Sequence, residues 1–239
     1  MHRVAAISVC DFVDFAKAFD SIHWDSLWRI LRAYGIPSHL VEIIRSFYCN
    51  FTCSVGDDVI LFEVKTGVRE GCVMSTVLFN LVVDWIMQRT TEDRNRGIRW
   101  IPFFYLEDLD YADDLALLSH THSHIQENTR RLNIFANQVG LNISSKKTEI
   151  MALNTTNRSP VQVENGDLPC TDRFTSLGSI ISSEGAGDLD IQSRLNKARN
   201  SLNMMSKVWR SSTYSTHTKL KLSTAVSSQL SYMVRNAGD

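Results

Sequence analysis

Leu109-Asp110-Tyr111-Ala112-Asp113-Asp114-Leu115-Ala116-Leu117-Leu118 sets two adjacent carboxylates between apolar segments. The flanks have strand character, and Ala112-Asp113-Asp114 is the turn joining Phe103–Tyr111 to Leu115–Leu118. An Asp-Asp pair in a turn is by itself mostly turn chemistry. Here apolar strands on both sides hold the turn on a rigid scaffold. A second stretch, Phe12-Val13-Asp14-Phe15-Ala16-Lys17-Ala18-Phe19-Asp20, supplies a third carboxylate. Val4–Val13 is apolar and β-branched, which predicts a buried strand with Asp14 emerging at its end. Three carboxylates brought together cannot all stay ionised without compensation, and divalent cations provide it. Mg2+ prefers such oxygen ligands together with substrate phosphate. Asp11, Asp20 and Asp110 read as structural.

Outward from these stretches, Trp24–Tyr34 has helical spacing and ends at Gly35 and Pro37. Ser38 is placed to cap a second helix reaching about Tyr48. Phe51–Val55 and Val59–Lys65 flank a turn and predict a hairpin. Ser75 opens a long helix with apolar residues at 78, 81, 82, 85 and 86. A further helix carries Ile125, Leu132, Phe135, Ala136 and Val139 on one face, with Gly140 at its C-terminal cap. Glu149–Leu153 is a strand, and Asn165-Gly166 marks a turn between Val161–Val163 and Leu168–Cys170. Phe174–Ile181 is a strand region, a candidate hairpin around Leu177-Gly178. Ile191, Leu195, Ala198, Leu202, Met205 and Trp209 then form one apolar stripe on a long helix, and a last helix is expected over Thr218–Val234. Strands mixed with helices give way to helices alone. The expectation is an α+β domain to about residue 170 with a small α-rich unit behind it.

Two more stretches carry chemistry. Thr66-Gly67-Val68-Arg69-Glu70-Gly71-Cys72-Val73-Met74-Ser75 has a Gly-x-x-x-Gly spacing that lets backbone approach a substrate closely. Gly140-Leu141-Asn142-Ile143-Ser144-Ser145-Lys146-Lys147-Thr148-Glu149 offers two lysines, which alone read as surface residues.

Taken in order, these stretches resemble motifs A, C, B and D of reverse transcriptases, and Phe174-Thr175-Ser176-Leu177-Gly178 is similar to motif E, the primer grip. The resemblance covers about residues 4–235, and the wording around Leu106-Glu107-Asp108-Leu109-Asp110-Tyr111-Ala112-Asp113-Asp114 points to the non-LTR, LINE-like branch. The resemblance implies a polymerase palm, with a ferredoxin-like antiparallel sheet and helices on one face, over 1–170. A primer-grip hairpin and partial helical thumb would follow over 171–239, with the fingers mostly missing. It implies two-metal transfer of dNTPs to the 3′-OH of a DNA primer on an RNA template, with two Mg2+ ions and Mn2+ as substitute. Asp14, Asp113 and Asp114 would hold the metals. Lys147, directly before Thr148, would lie near the triphosphate and protonate the leaving pyrophosphate. Phe15, Phe19, Glu70 and Gly71 would line the dNTP pocket, with Phe19 as the gate that rejects a ribose 2′-OH.

The chain departs from the family pattern at Glu70 for a glutamine, Thr76 for a proline and Ser176 for a tyrosine. A carboxylate at position 70 repels a triphosphate. These departures favour the alternative of an inactive truncated relic with at most nucleic-acid binding. Fingers missing before motif A lead to the expectation of a poor polymerase. An RNA-dependent RNA polymerase usually carries Gly-Asp-Asp and lacks an aromatic gate, so Ala112 and Phe19 favour DNA synthesis. A maturase or telomerase relative is a closer alternative.

Composition agrees with a globular protein. Of 239 residues 44% are hydrophobic and 21% charged, with a net charge of -1. Charge is uneven: the last 46 residues, from Arg194 on, carry net +7, so a phosphate-following surface would be local to that end. The five cysteines (Cys10, Cys49, Cys53, Cys72, Cys170) lack zinc-site spacing and read as reduced thiols. No signal peptide is evident at Met1–Cys10, and Val77–Met87 is too short and polar to span a bilayer. The expected setting is intracellular, nucleus or cytoplasm, without a membrane partner.

Overall fold

Val9–Val13 (β1) is buried at all five positions, as expected of an apolar run with neighbours on both sides. The computed structural model of the chain describes residues 9–49, 52–54, 61–93, 95–101, 104–153, 159–163, 166–176, 178–183, 187–222 and 224. After β1 come a short helix Ala18–Ser21 (α1), then Trp24–Ala33 (α2) and Ser38–Ser46 (α3). Pro37, not Ser38, occupies the N-cap position of α3, and no side chain caps it. The hairpin Thr52–Ser54 (β2) and Leu61–Glu63 (β3) leads to the helix Val73–Thr90 (α4), which opens two residues before Ser75. The turn expected between β2 and β3 lies outside the described residues.

Ile98–Ile101 (β4), Phe104–Leu106 (β5), Asp108–Tyr111 (β6) and Asp114–Ser119 (β7) follow. The single strand expected over Phe103–Tyr111 is thus two strands. Glu107 separates them and is 4% exposed; β5 pairs with β4 while β6 pairs with β7. A buried carboxylate must find a donor, and reaching one diverts the chain at that point. His122–Gln138 (α5) starts at Thr121, whose hydroxyl accepts from the His124 N–H at 3.3 Å. Then come Glu149–Ala152 (β8), Val161–Val163 (β9), Gly166–Leu168 (β10) and Cys170–Thr171 (β11).

One five-stranded sheet has the order β11-β8-β1-β7-β6. Four of these strands pair antiparallel, in the order of a split βαβ arrangement with β1 near the centre. The fifth corrects the expectation of a purely antiparallel sheet: β11 runs parallel to β8. The chain leaves β8 after Ala152 and re-enters at Cys170, and a parallel return needs a connection of about a dozen residues or more. α5 lies against β1 and β7, α4 against α5, and α2 against α4. Ile22, Leu27, Phe79, Leu117, Ile125 and Leu132 are all completely buried where these layers meet. Each such side chain contributes about 1.5–3 kcal/mol of transfer free energy.

Contacts divide the chain into Met1–Thr171 and Asp172–Asp239. The second unit holds the hairpin Arg173–Ser176 (β12) and Ser179–Ser182 (β13), then Asp188–Met204 (α6) and Ser206–Arg210 (α7). The expected single helix over 191–209 is broken at Met205. Residues 216–222 are helical, and the rest of the expected last helix lies outside the described residues. Within this unit Asp190, 7% exposed, accepts from the Ile180 N–H at 2.9 Å and pairs with the Arg194 Nε at 2.7 Å. Arg194 therefore serves α6 and β13 rather than a free basic stripe. Among the described residues, no helix is long and apolar enough to cross a membrane, and Cys10, Cys49, Cys72 and Cys170 are free thiols.

Candidate functional site

β1 ends where its buried run ends, and Asp14 is the next residue. Antiparallel pairing sets Val13 opposite Leu115. One step further along both strands, Asp14 comes level with Asp114, the first residue of β7. Tyr111 pairs with Asp114, so Ala112 and Asp113 form a two-residue turn at the tip of the β6–β7 hairpin. Ala112 adopts φ +58, a left-handed conformation that costs a residue with a Cβ roughly 1–2 kcal/mol. Partial burial pushes the Asp114 carboxyl above its ordinary range, and the charges of Asp113 and Asp14 push it further.

A loop from Asn142 to Thr148 clamps the same strand end. The Ser144 N–H donates to the Asp14 carbonyl at 2.9 Å, and the Asp14 N–H donates to the Thr148 hydroxyl at 3.1 Å. The Ala16 N–H donates to the Asn142 carbonyl at 2.9 Å, and Phe15 bridges Ile143. This clamp carries Lys147 to the site: its Nζ stands 3.3 Å from Asp14 Oδ1 and 3.5 Å from Oδ2. The lysine side chain is 68% exposed, so the pair adds at most about 1 kcal/mol to stability. Asp14 Oδ1 is shielded from solvent, with the Lys147 ammonium as its ion-pair partner.

The segment before α4 docks on the segment after β1. The Val68 N–H donates to the Phe19 carbonyl at 2.6 Å, and the Gly67 N–H donates to the Ile22 carbonyl at 2.8 Å. The Trp24 indole N–H donates to the Gly67 carbonyl at 2.7 Å. The two glycines of the Gly-x-x-x-Gly spacing do different things. Gly67, at φ +88, is pressed on the chain itself: a Cβ there would meet the Asp20 Cα, the Asp20 carbonyl and the Phe19 carbonyl, each at 2.7 Å. Gly71, at φ +74, faces open space. Gly67→Ala is therefore expected to destabilise the fold by about 2 kcal/mol, read as a lowered urea midpoint, whereas Gly71→Ala carries only the backbone penalty of about 1 kcal/mol.

Phe19 stacks on Phe79 of α4, with centroids 4.5 Å apart and planes 12° from parallel. Its ring is half-buried and backed by the core. Phe15 departs from its expected place in a pocket wall: it is 4% exposed and belongs to the core. Its position one residue past Asp14 turns its ring to the opposite side of the backbone. Glu70 and Gly71 are exposed in the turn before α4. Among the described residues, no three His, Cys, Asp or Glu side chains already stand at metal-ligand spacing. The donor set nonetheless suits a hard cation: three carboxylates, one with an oxygen shielded from solvent. The sequence pattern gave no role to Glu107 or to the Asp190–Arg194 pair. Opposite charges four residues apart on a helix are the signal that marks the pair; Glu107, followed directly by Asp108 and then Asp110, carries no local signal.

The family model described as reverse transcriptase (RNA-dependent DNA polymerase) matches residues 2–181. The Pol polyprotein of the type-1 retrotransposable element R2 of Popillia japonica is 33% identical over 110 residues, covering 44% of this chain and 18% of that protein. That of the type-2 element R2DM of Drosophila melanogaster is 29% identical over 138 residues, covering 56% and 13%. The Nasonia vitripennis R2 polyprotein is 31% identical over 150 residues, covering 59% and 14%. The chain thus spans less than a fifth of the length of these three relatives. Apo telomerase from Candida tropicalis, truncated from its C-terminal domain, superposes with a TM-score of 0.54 at 14% identity, over 76% of this chain and 35% of that one. Telomerase from Candida albicans in complex with a fragment of telomeric RNA gives 0.52 at 12%, over 74% and 29%. These likenesses are of fold.

Proposed function

The chain belongs to the reverse transcriptase (RNA-dependent DNA polymerase) family, and its curated relatives are R2 retrotransposon polyproteins; from that premise we propose that it forms the catalytic palm, with the start of a thumb, of a non-LTR retrotransposon polymerase that extends a DNA primer on an RNA template. The observation that carries this reading is the approach of Asp14, at the end of β1, and of Asp113, at the hairpin tip, to Asp114. In it, residues Met1–Thr171 are the palm, and the β12–β13 hairpin with α6 and α7 is the primer grip and partial thumb.

Asp14, Asp113 and Asp114 are the residues that would hold divalent ions. When bound there, two Mg2+ ions supply Lewis-acid activation of a primer 3′-hydroxyl and neutralise charge on the pyrophosphate. The protein's own part is positional. The Asn142–Thr148 clamp fixes Asp14, and the 3.3 Å pair with Lys147 keeps a protonated amine beside the carboxylates. That proton is available to a leaving pyrophosphate. Phe19 is the proposed 2′-OH gate; its stacking on Phe79, with planes 12° from parallel, holds the ring in one orientation, which supports that role. Glu70 and Gly71, exposed in the turn ahead of α4, complete the proposed dNTP pocket.

The test is extension of a DNA primer on an RNA template with labelled dNTPs and Mg2+, comparing this chain with Asp113→Ala. Incorporation that disappears in the variant supports the reading. Incorporation equal in both overturns it.

A further inference from the structure

Six residues before Asp113, the strand that carries the catalytic turn is tied down by a buried carboxylate. Glu107 is 4% exposed and sits between β5 and β6. Its Oε1 accepts from the Arg96 N–H at 2.9 Å. Its own carbonyl accepts from the Leu118 N–H at 2.7 Å, continuing the β6–β7 ladder one pair beyond Asp108 and Leu117. On the other strand, Ser119 is completely buried and its hydroxyl donates to the Arg96 carbonyl at 2.7 Å. Gly97 is pressed into the same place: a Cβ there would stand 2.3 Å from the Leu106 carbonyl oxygen and 2.6 Å from the Glu107 Cγ. The Arg96-Gly97 backbone is thus gripped by both strands of the hairpin, from Glu107 on one side and Ser119 on the other.

We infer that Glu107 is a positioning residue for the metal-binding turn, acting through the Arg96 backbone to fix the base of the β6–β7 hairpin whose tip carries Asp113. The inference rests on the reading of Asp14, Asp113 and Asp114 as a divalent-ion site. Its physical basis is leverage. A two-stranded hairpin at a sheet edge is held on one side only, by β1. Its free strand, β6, is the edge strand, with Leu109 and Tyr111 exposed. A ligand set must be held to within about 0.5 Å to keep its affinity, and on β6 the Glu107 tie at the base supplies that restraint. The carboxylate acts as an acceptor, so a neutral acceptor of the same shape should serve.

The experiment measures Mn2+ affinity by titration calorimetry on the whole chain, for wild type, Glu107→Ala, Glu107→Gln, Ser119→Ala and Asp113→Asn. Amide hydrogen exchange across residues 108–118 is followed in the same samples. Glu107→Ala and Ser119→Ala are expected to weaken Mn2+ binding about tenfold and to speed exchange in the hairpin. Glu107→Gln, which keeps the acceptor, is expected to stay within about twofold of wild type on both counts. Rescue by glutamine separates positioning from mere loss of packing, and Ser119→Ala stands in if Glu107→Ala fails to fold. Asp113-dependent Mn2+ binding that is indifferent to both alanine variants overturns this inference alone. Mn2+ binding that is no tighter in wild type than in Asp113→Asn overturns the site reading, and this inference with it.

Discussion

Asp14→Ala is expected to lower whatever deoxynucleotide incorporation the chain supports by roughly a thousandfold, while moving its stability by no more than about 1 kcal/mol. The two halves of that expectation have different origins. The catalytic half follows from position: Asp14 is level with Asp114 across the β1–β7 pairing and has an oxygen shielded from solvent. A metal ligand contributes several kcal/mol to transition-state charge stabilisation, and each 1.4 kcal/mol is about tenfold in rate. The stability half follows from exposure. The partner lost is Lys147, whose side chain is 68% exposed and returns to solvent at little cost. The backbone bonds that clamp this strand end use the Asp14 N–H and carbonyl, which alanine retains. Primer extension and urea unfolding on the same preparations check both halves; a large loss of stability would show that Asp14 is a structural residue.

Asp11→Asn is expected to do the reverse, changing stability and its pH dependence while leaving the site intact. Asp11 lies in the middle of β1, opposite Leu117 on one side and Ile150 on the other, and is completely buried. Burial pushes its carboxyl up to about 7, against the lowering effect of the Thr129 hydroxyl, which donates to Oδ2 at 2.6 Å. Oδ1 has no hydrogen-bond partner. In the unfolded chain the group titrates near 3.8, so between about 4 and 7 the folded state holds a proton that the unfolded state has lost. Stability contributed by this group is therefore full below about 4, falls as pH rises towards 7, and is lost above it. A rise from 3.8 to about 7 corresponds to on the order of 4 kcal/mol across that window. Asparagine keeps the acceptor for Thr129 and carries no charge. The variant is expected to be more stable than wild type at pH 8, with a flatter profile between pH 5 and 8 and the two converging at the acid end. Urea midpoints at four pH values check this. Parallel profiles would mean that Asp11 is already neutralised by some other group.

Local periodicity made much of the architecture legible. The apolar run before Asp14, the helical spacing over Trp24–Ala33, and the face of α5 bearing Ile125, Leu132 and Ala136 are set by side chains that can be buried in only one way. What was not legible depends on partners distant in sequence. The strand around Glu107 looks continuous because nothing nearby reveals that its carboxylate bonds the Arg96 N–H. The helix break at Met205 interrupts a stripe whose spacing stays regular through it. Phe15 looks like a pocket residue beside Asp14 until strand alternation sends its ring into the core. For the candidate site, residue types and order could be read along the chain. The 3.3 Å approach of Lys147 to Asp14 could not, since it depends on how the Asn142–Thr148 loop folds back on β1. Gly67 shows the same limit: its spacing from Gly71 suggests a shared role, yet one is pressed on Phe19 and Asp20 and the other is open.

The most direct test of the divalent-ion site is calorimetric Mn2+ titration of wild type against Asp113→Asn and Asp11→Asn, two variants that each replace one carboxyl group by an amide. Asp11→Asn is expected to bind Mn2+ as wild type does, and Asp113→Asn to lose the binding. Equal Mn2+ affinity in Asp113→Asn and wild type would contradict the site.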